Sequence, residues 1–296
     1  MRQTIQCESR RLRGCAVVAL LAMVIGAAVA HAQTNPLPTG QYEVVRSSGV
    51  HDNPTKEFQM VYQTVIHTDD ETPWVRLQFA DAHLDGASYL RLTSLLDGAV
   101  QHLHAEHLLD WQMSSAYFNG RSVRIELFAA PGTMGNFVEI NEVLVGLRSD
   151  GPRISSQCGA ADDRVLSDEP SAGRLVPVGC TATIYNEASC AITAGHCLGS
   201  ADVWEFNVPM SLPDGTIVHP GPEDQYAVDP ASRIGTAAGV GNDWGHFTCF
   251  ANTETGQLPF ETQGALTPLA TEIPPLPMDI QIFGYGLDFD DRDRSQ

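Results

Sequence analysis

Ala191-Ile192-Thr193-Ala194-Gly195-His196-Cys197 is the stretch that decides how this chain reads: a short apolar run, a turn of small residues, then an imidazole and a thiol side by side. Strand-like runs flank it. Cys180-Thr-Ala-Thr-Ile-Tyr185 and Cys190-Ala-Ile-Thr-Ala194 lead in, and Asp202-Val-Trp-Glu-Phe206 and Asp279-Ile-Gln-Ile-Phe-Gly-Tyr-Gly286 follow, with Pro- and Gly-rich loops between them. From Val176 onward the chain therefore reads as all-β.

Upstream, residues 151–175 are rich in Ser, Gly, Pro and Asp without hydrophobic period, which predicts a linker. Before it, Phe58, Met60, Tyr62, Thr64 and Ile66 alternate, as do Val75, Leu77 and Phe79, and then Val123, Ile125 and Leu127. Turn signals at Asp85-Gly86, Asp97-Gly98, Asn119-Gly120 and Pro131-Gly132 separate these runs. Residues 33–150 are thus expected to form an antiparallel β-sandwich with one short helix, Ala105 to Trp111.

At the extreme N-terminus, Arg2, Arg10, Arg11 and Arg13 precede the apolar run from Ala16 to Ala30, and Ala30-His31-Ala32 offers a small-x-small cleavage site. That is the pattern of a secretory signal peptide over residues 1–32, so the expected location is secreted or periplasmic. No later run reaches the length of a membrane span, and no membrane contact is expected after signal cleavage. The formal charge is −19, and removing the signal takes away four positive charges and one negative, leaving −22. Such acidity argues against a nucleic-acid partner.

Cys7 and Cys15 leave with the signal. Cys158, Cys180, Cys190, Cys197 and Cys249 remain, all in the second half, an odd count in a disulfide-permissive setting.

Thr193-Ala194-Gly195-His196-Cys197 resembles the catalytic-histidine motif of trypsin-like (chymotrypsin-fold) serine peptidases. The resemblance implies that His196 is the general base and that Cys197 bonds a Cys one strand earlier, the place Cys180 occupies. It also implies a carboxylate that accepts the imidazole Nδ1 proton. Asp243, in Gly241-Asn242-Asp243-Trp244, follows His196 in the right order, while Gly-Asn-Asp is also a good turn. Ile282-Phe283-Gly284-Tyr285-Gly286 resembles the strand that opens the second barrel of these enzymes. The resemblance thus implies a partial trypsin-like double β-barrel, first barrel only, over residues 176–296. Neither a metal nor an organic cofactor is implied. The substrate class it implies is protein or peptide, in a full-length form.

The family's nucleophile motif Gly-Asp-Ser-Gly does not occur in the 296 residues. Ser200 and Ser295 lack the Gly-rich turn that would expose backbone amides as an oxyanion hole, so the chain as given is expected to be inert. Its alternative role is a non-catalytic secreted binding module carrying a peptidase remnant.

By the same resemblance, Cys158 and Cys249 would tether the lead-in to the back of the barrel, leaving Cys190 as a small apolar residue. Asp162-Asp163-Arg164-Val165 resembles the start of the peptidase domain in glutamyl-endopeptidase-like relatives. Cleavage after Arg164 would then activate, although a solvated charge cluster has the same composition. Segments such as Trp74-Val-Arg-Leu-Gln-Phe79 look like the CUB-like or jelly-roll modules that accompany secreted peptidases. They imply a cell-surface or polysaccharide ligand.

His102, His104 and His107, with Glu106, are spaced to offer imidazoles to a metal on one strand face or one helical turn; a site needs three or four convergent ligands with outer support, which a sequence does not display, and no metal is assigned. Asp288, Asp290, Asp291 and Asp293 lack the Gly and distal Glu of a calcium loop and read as a solvated tail. The second half, left with open strand edges, is expected to be loosely packed and the first to fold by itself.

Overall fold

In the computed structural model, residues 36–148, 165–212, 214–272, 275, 277 and 281–285 are described. Residues 1–32, expected to be a signal peptide, Cys158, Asp162, Asp163, Arg164, Gly286, the Asp288 to Asp293 cluster and Ser295 lie outside them.

The fold is all-β, with 44% strand against 10% helix, and every strand pairing is antiparallel. The N-terminal half holds two sheets. Strands β1 (Thr39–Ser47), β9 (Thr133–Gly146), β4 (Trp74–His83) and β7 (Phe118–Asn119) are neighbours in that order, and β2 (His51–Asn53) also pairs with β9. The second sheet runs β3 (Gln59–His67), β8 (Ser122–Ala129), β5 (Tyr89–Ser94), β6 (Val100–Leu103). Alternation sets their inward faces. Leu77 and Val143 from the first sheet and Leu90, Leu92, Ile125 and Leu127 from the second are buried in one apolar cluster. Gly86, Gly98, Gly120 and Gly132 all take positive φ at the turns read from sequence. The helix α1 forms over Ala105–Asp110.

The C-terminal half is one seven-stranded sheet in the order β14 (Gln225–Ala227), β13 (Ala201–Glu205), β10 (Ala172–Pro177), β11 (Cys180–Ile184), β12 (Ala191–Thr193), β16 (Asp243–Phe247), β15 (Ile234–Ala237). Its own cluster includes Leu175, Ile184, Ala191, Trp204, Phe206, Tyr226 and Phe247. A short helix, α2 (Pro259–Gln263), follows.

Three expectations are corrected. The first strand of the second half, β10, starts at Ala172, inside the 151–175 linker, because Arg174 pairs with Thr181 and Glu205 in the ladders on either side of β10 and is buried there. Residues 281–285 form no strand: Ile282 is 84% exposed and the segment touches the sheet by Tyr285 N donating to Thr181 Oγ1 at 2.8 Å. The halves are not independent. Val176, Val203, Ile217 and Ala227 of the second are buried in the apolar cluster of the first, covering surface that a free-standing sheet would expose.

Candidate active site

β12 ends at Thr193, anchored by Thr193 Oγ1 donating to Thr181 O at 2.8 Å, and the chain turns into a 3-10 segment over Gly195–Ser200. Gly195 is required by a close approach. A Cβ there would lie 1.9 Å from Thr236 O and 2.7 Å from Trp244 O, so only glycine lets the turn seat against the β15/β16 hairpin. Leu198, two residues past His196, covers Gly245 of β16, where a Cβ would meet its Cγ at 2.7 Å. These contacts fix His196 against the first residue of β16, Asp243.

The two side chains meet. His196 Nδ1 lies 2.6 Å from Asp243 Oδ2, and the His196 amide donates to Asp243 Oδ1 at 2.9 Å. The His196 and Asp243 side chains are 22% and 17% exposed, so the pair sits partly exposed at the surface. The hydrogen bonds from the His196 ring and amide hold the Asp243 carboxyl below its ordinary range. An ionised carboxylate only accepts, so Nδ1 carries a ring proton, and in the neutral ring Nε2 presents its lone pair. A neutral ring held that way can accept a proton from an approaching hydroxyl or water and return it to a leaving group.

Cys180 and Cys197 are bonded, with Cα atoms 6.3 Å apart, and the bridge fastens the His196 turn to the start of β11. Among the described residues Cys249 has no disulfide partner: it is buried in the apolar cluster around Phe247, burial pushes its thiol well up, and its expected partner Cys158 lies outside the described residues. Cys190 is also free and half-buried. Trp244 occupies the second position of β16 and is 47% exposed, while Phe247 is fully buried.

The histidines of the first half do not converge. His102 Nδ1 bonds Glu254 Oε2 at 2.8 Å, and His107 Nδ1 accepts from the His104 amide at 3.3 Å. Among the described residues the donor set that does cluster is Cys180, His196 and Cys197, whose two sulfurs are bonded to each other. Ser200 is exposed at the end of the 3-10 segment.

The sequence did not single out Arg174, Glu205 and His219, a buried group formed by two charged residues of the C-terminal sheet and an imidazole from the loop between β13 and β14. His219 lies in a Pro- and Gly-rich stretch that reads as exposed loop, and no local signal marks it. Among the described residues no helix is long and apolar enough to cross a membrane. No family model matches the chain, and neither the curated proteins nor the solved structures contain a match.

Proposed function

We propose that residues 172–285 represent the first barrel of a trypsin-like serine peptidase, preceded by a β-sandwich module, in an exported protein that acts in peptide-bond hydrolysis. The observation that carries this reading is the double hydrogen bond between His196 and Asp243, on a turn closed by the Cys180–Cys197 bridge. In the complete reaction a serine hydroxyl attacks the scissile carbonyl, His196 Nε2 takes its proton and later gives it to the leaving amine, and Asp243 keeps the ring in the Nδ1–H tautomer and stabilises the imidazolium. The reaction needs no metal or organic cofactor. The nucleophile is not supplied in a Gly-Asp-Ser-Gly setting by these 296 residues, so the chain alone does not form an acyl-enzyme.

The same observation supports a second reading, a secreted binding module that keeps the peptidase scaffold without its chemistry. The DNA beyond codon 296 separates the two. The peptidase reading expects it to encode, in this frame or a shifted one, further strands and Gly-Asp-Ser-Gly. The joined product should hydrolyse peptides and lose activity in His196→Ala. Absence of that motif in every frame, or full activity in His196→Ala, would refute it.

A further inference from the structure

The face where the two halves meet is closed by reciprocal clasps. From the C-terminal half, the buried Gln225 side chain takes the amide of Tyr117 on Oε1 at 2.9 Å and donates from Nε2 to the Tyr117 carbonyl at 2.8 Å. From the N-terminal half, Asn119 Nδ2 donates to the His219 carbonyl at 2.8 Å and Asn119 Oδ1 accepts the His219 amide at 2.9 Å. Each side chain thus satisfies a peptide of the other half, whose donor and acceptor would otherwise have to be hydrated. His102 is held by Glu254 through its amide at 2.7 Å and its ring at 2.8 Å, and Leu37 N donates to Pro177 O at 2.8 Å. Val176, Val203, Ile217 and Ala227 complete the apolar cluster of the first half.

His219 lies at the centre, fully buried. Its ring stacks on Tyr117 at 4.5 Å and 13° and meets the edge of Trp74 at 5.1 Å, both from the N-terminal half. Nδ1 is 2.6 Å from Glu205 Oε1, and Nε2 has no partner. Glu205 is already paired with Arg174, whose Nη2 lies 2.8 Å from Oε2. A second cation, Arg76, sits over the Tyr117 ring at 5.1 Å and reaches Asp202 at 3.4 Å. One further proton on Nε2 would leave a buried N–H without an acceptor, in a region that holds two guanidiniums and one fully buried carboxylate.

We propose that the N-terminal half is a permanent partner of the sheet that carries His196 and Asp243, and that the two stay joined without a covalent link when the chain between residues 148 and 165 is cut, through a seam that neutral His219 keeps closed. A cut after Arg164 would then alter the terminus of the second half without releasing the first. The proposal stands whether or not the protein is a peptidase.

The test uses the full chain carrying a specific protease recognition sequence between residues 151 and 164, purified intact, cut, and run on a sizing column. At neutral pH the two pieces co-elute at the mass of the uncut protein, and at about pH 4.5, below the ordinary imidazole range, they part. His219→Gln keeps a donor toward Glu205 but cannot titrate, so its pieces stay joined to lower pH than the parent's. Asn119→Ala, which leaves the buried charges intact, raises the dissociation constant of the cut protein about tenfold, as loss of two hydrogen bonds implies. Separation at neutral pH, parting of parent and His219→Gln at one pH, or an unchanged dissociation constant in Asn119→Ala would overturn it.

Discussion

Asp243 holds His196 at two points, ring and backbone, with one carboxylate oxygen for each. A single bond would fix a distance. Two bonds to one rigid carboxylate also fix the rotation of the imidazole relative to its own main chain, which is what a base must have to meet a proton in one place. The backbone part of the clamp depends on the turn that begins at Gly195, and the turn depends on what it can approach.

Gly195→Ala is therefore expected to be severe. Its Cβ would collide with backbone oxygens of Thr236 and Trp244, which cannot swing away as a side chain could. The loss should be about 3 kcal/mol, lowering the melting temperature on the order of 10 °C. Gly199→Ala is the control, because a Cβ there meets nothing within 4 Å. Calorimetry that gave the two variants equal melting temperatures would contradict the packing argument.

The bridge between Cys180 and Cys197 closes a loop with a sequence separation of 17. Its removal in Cys197→Ser should cost about 3 kcal/mol on the chain-entropy model. Non-reducing peptide mapping should recover Cys180 with Cys197, and native alkylation should reach half-buried Cys190 before buried Cys249, whose thiol is pushed well up by burial. Recovery of Cys197 bonded to Cys190 or Cys249 would break the register on which the His196 assignment rests.

Acid should weaken the fold in two stages. Burial lowers the His219 imidazole from its ordinary 6.5. Burial alone would raise the Glu205 carboxyl, but Arg174 and His219 outweigh it and hold the group below 4.5. A group whose folded value is depressed contributes stability that is complete above its unfolded value and is lost as pH falls from there through the folded value. Melting temperature should first decline below about pH 6.5, and again below about pH 4.5. His219→Gln should flatten the first decline. A parent protein that gained stability between neutral pH and pH 5 would contradict the sign.

Much of the fold was legible where a residue's partner is near in sequence or its period is regular. Val123, Ile125 and Leu127 alternate and are all fully buried, and the Asn119-Gly120 turn lies where its residue types put it. His196 and Asp243 were legible through a motif, and their 47-residue separation closes at 2.6 Å. The seam was not legible. Gln225 and Tyr117 are 108 residues apart, and nothing in Pro220-Gly221-Pro222-Glu223-Asp224-Gln225 says that its last residue will be clasped around a distant peptide. Asp279 to Gly286 misled for the converse reason: apolar alternation describes a willing strand, but residues 281–285 gain no ladder partner. The His102, His104 and His107 spacing likewise describes capacity, while Glu254, 152 residues away, claims His102.

The most direct measurement is the protonation of the His196 ring, read by long-range proton–nitrogen correlation NMR on the folded chain near neutral pH. The His196–Asp243 contact predicts an imidazole with its proton on Nδ1, strongly deshielded by the Asp243 carboxylate, and a mixture of tautomers in Asp243→Asn, where that acceptor is replaced. A ring protonated on Nε2 in the parent, or spectra that Asp243→Asn leaves unchanged, would show that Asp243 does not orient His196 and would remove the basis for reading the pair as a base and its guide.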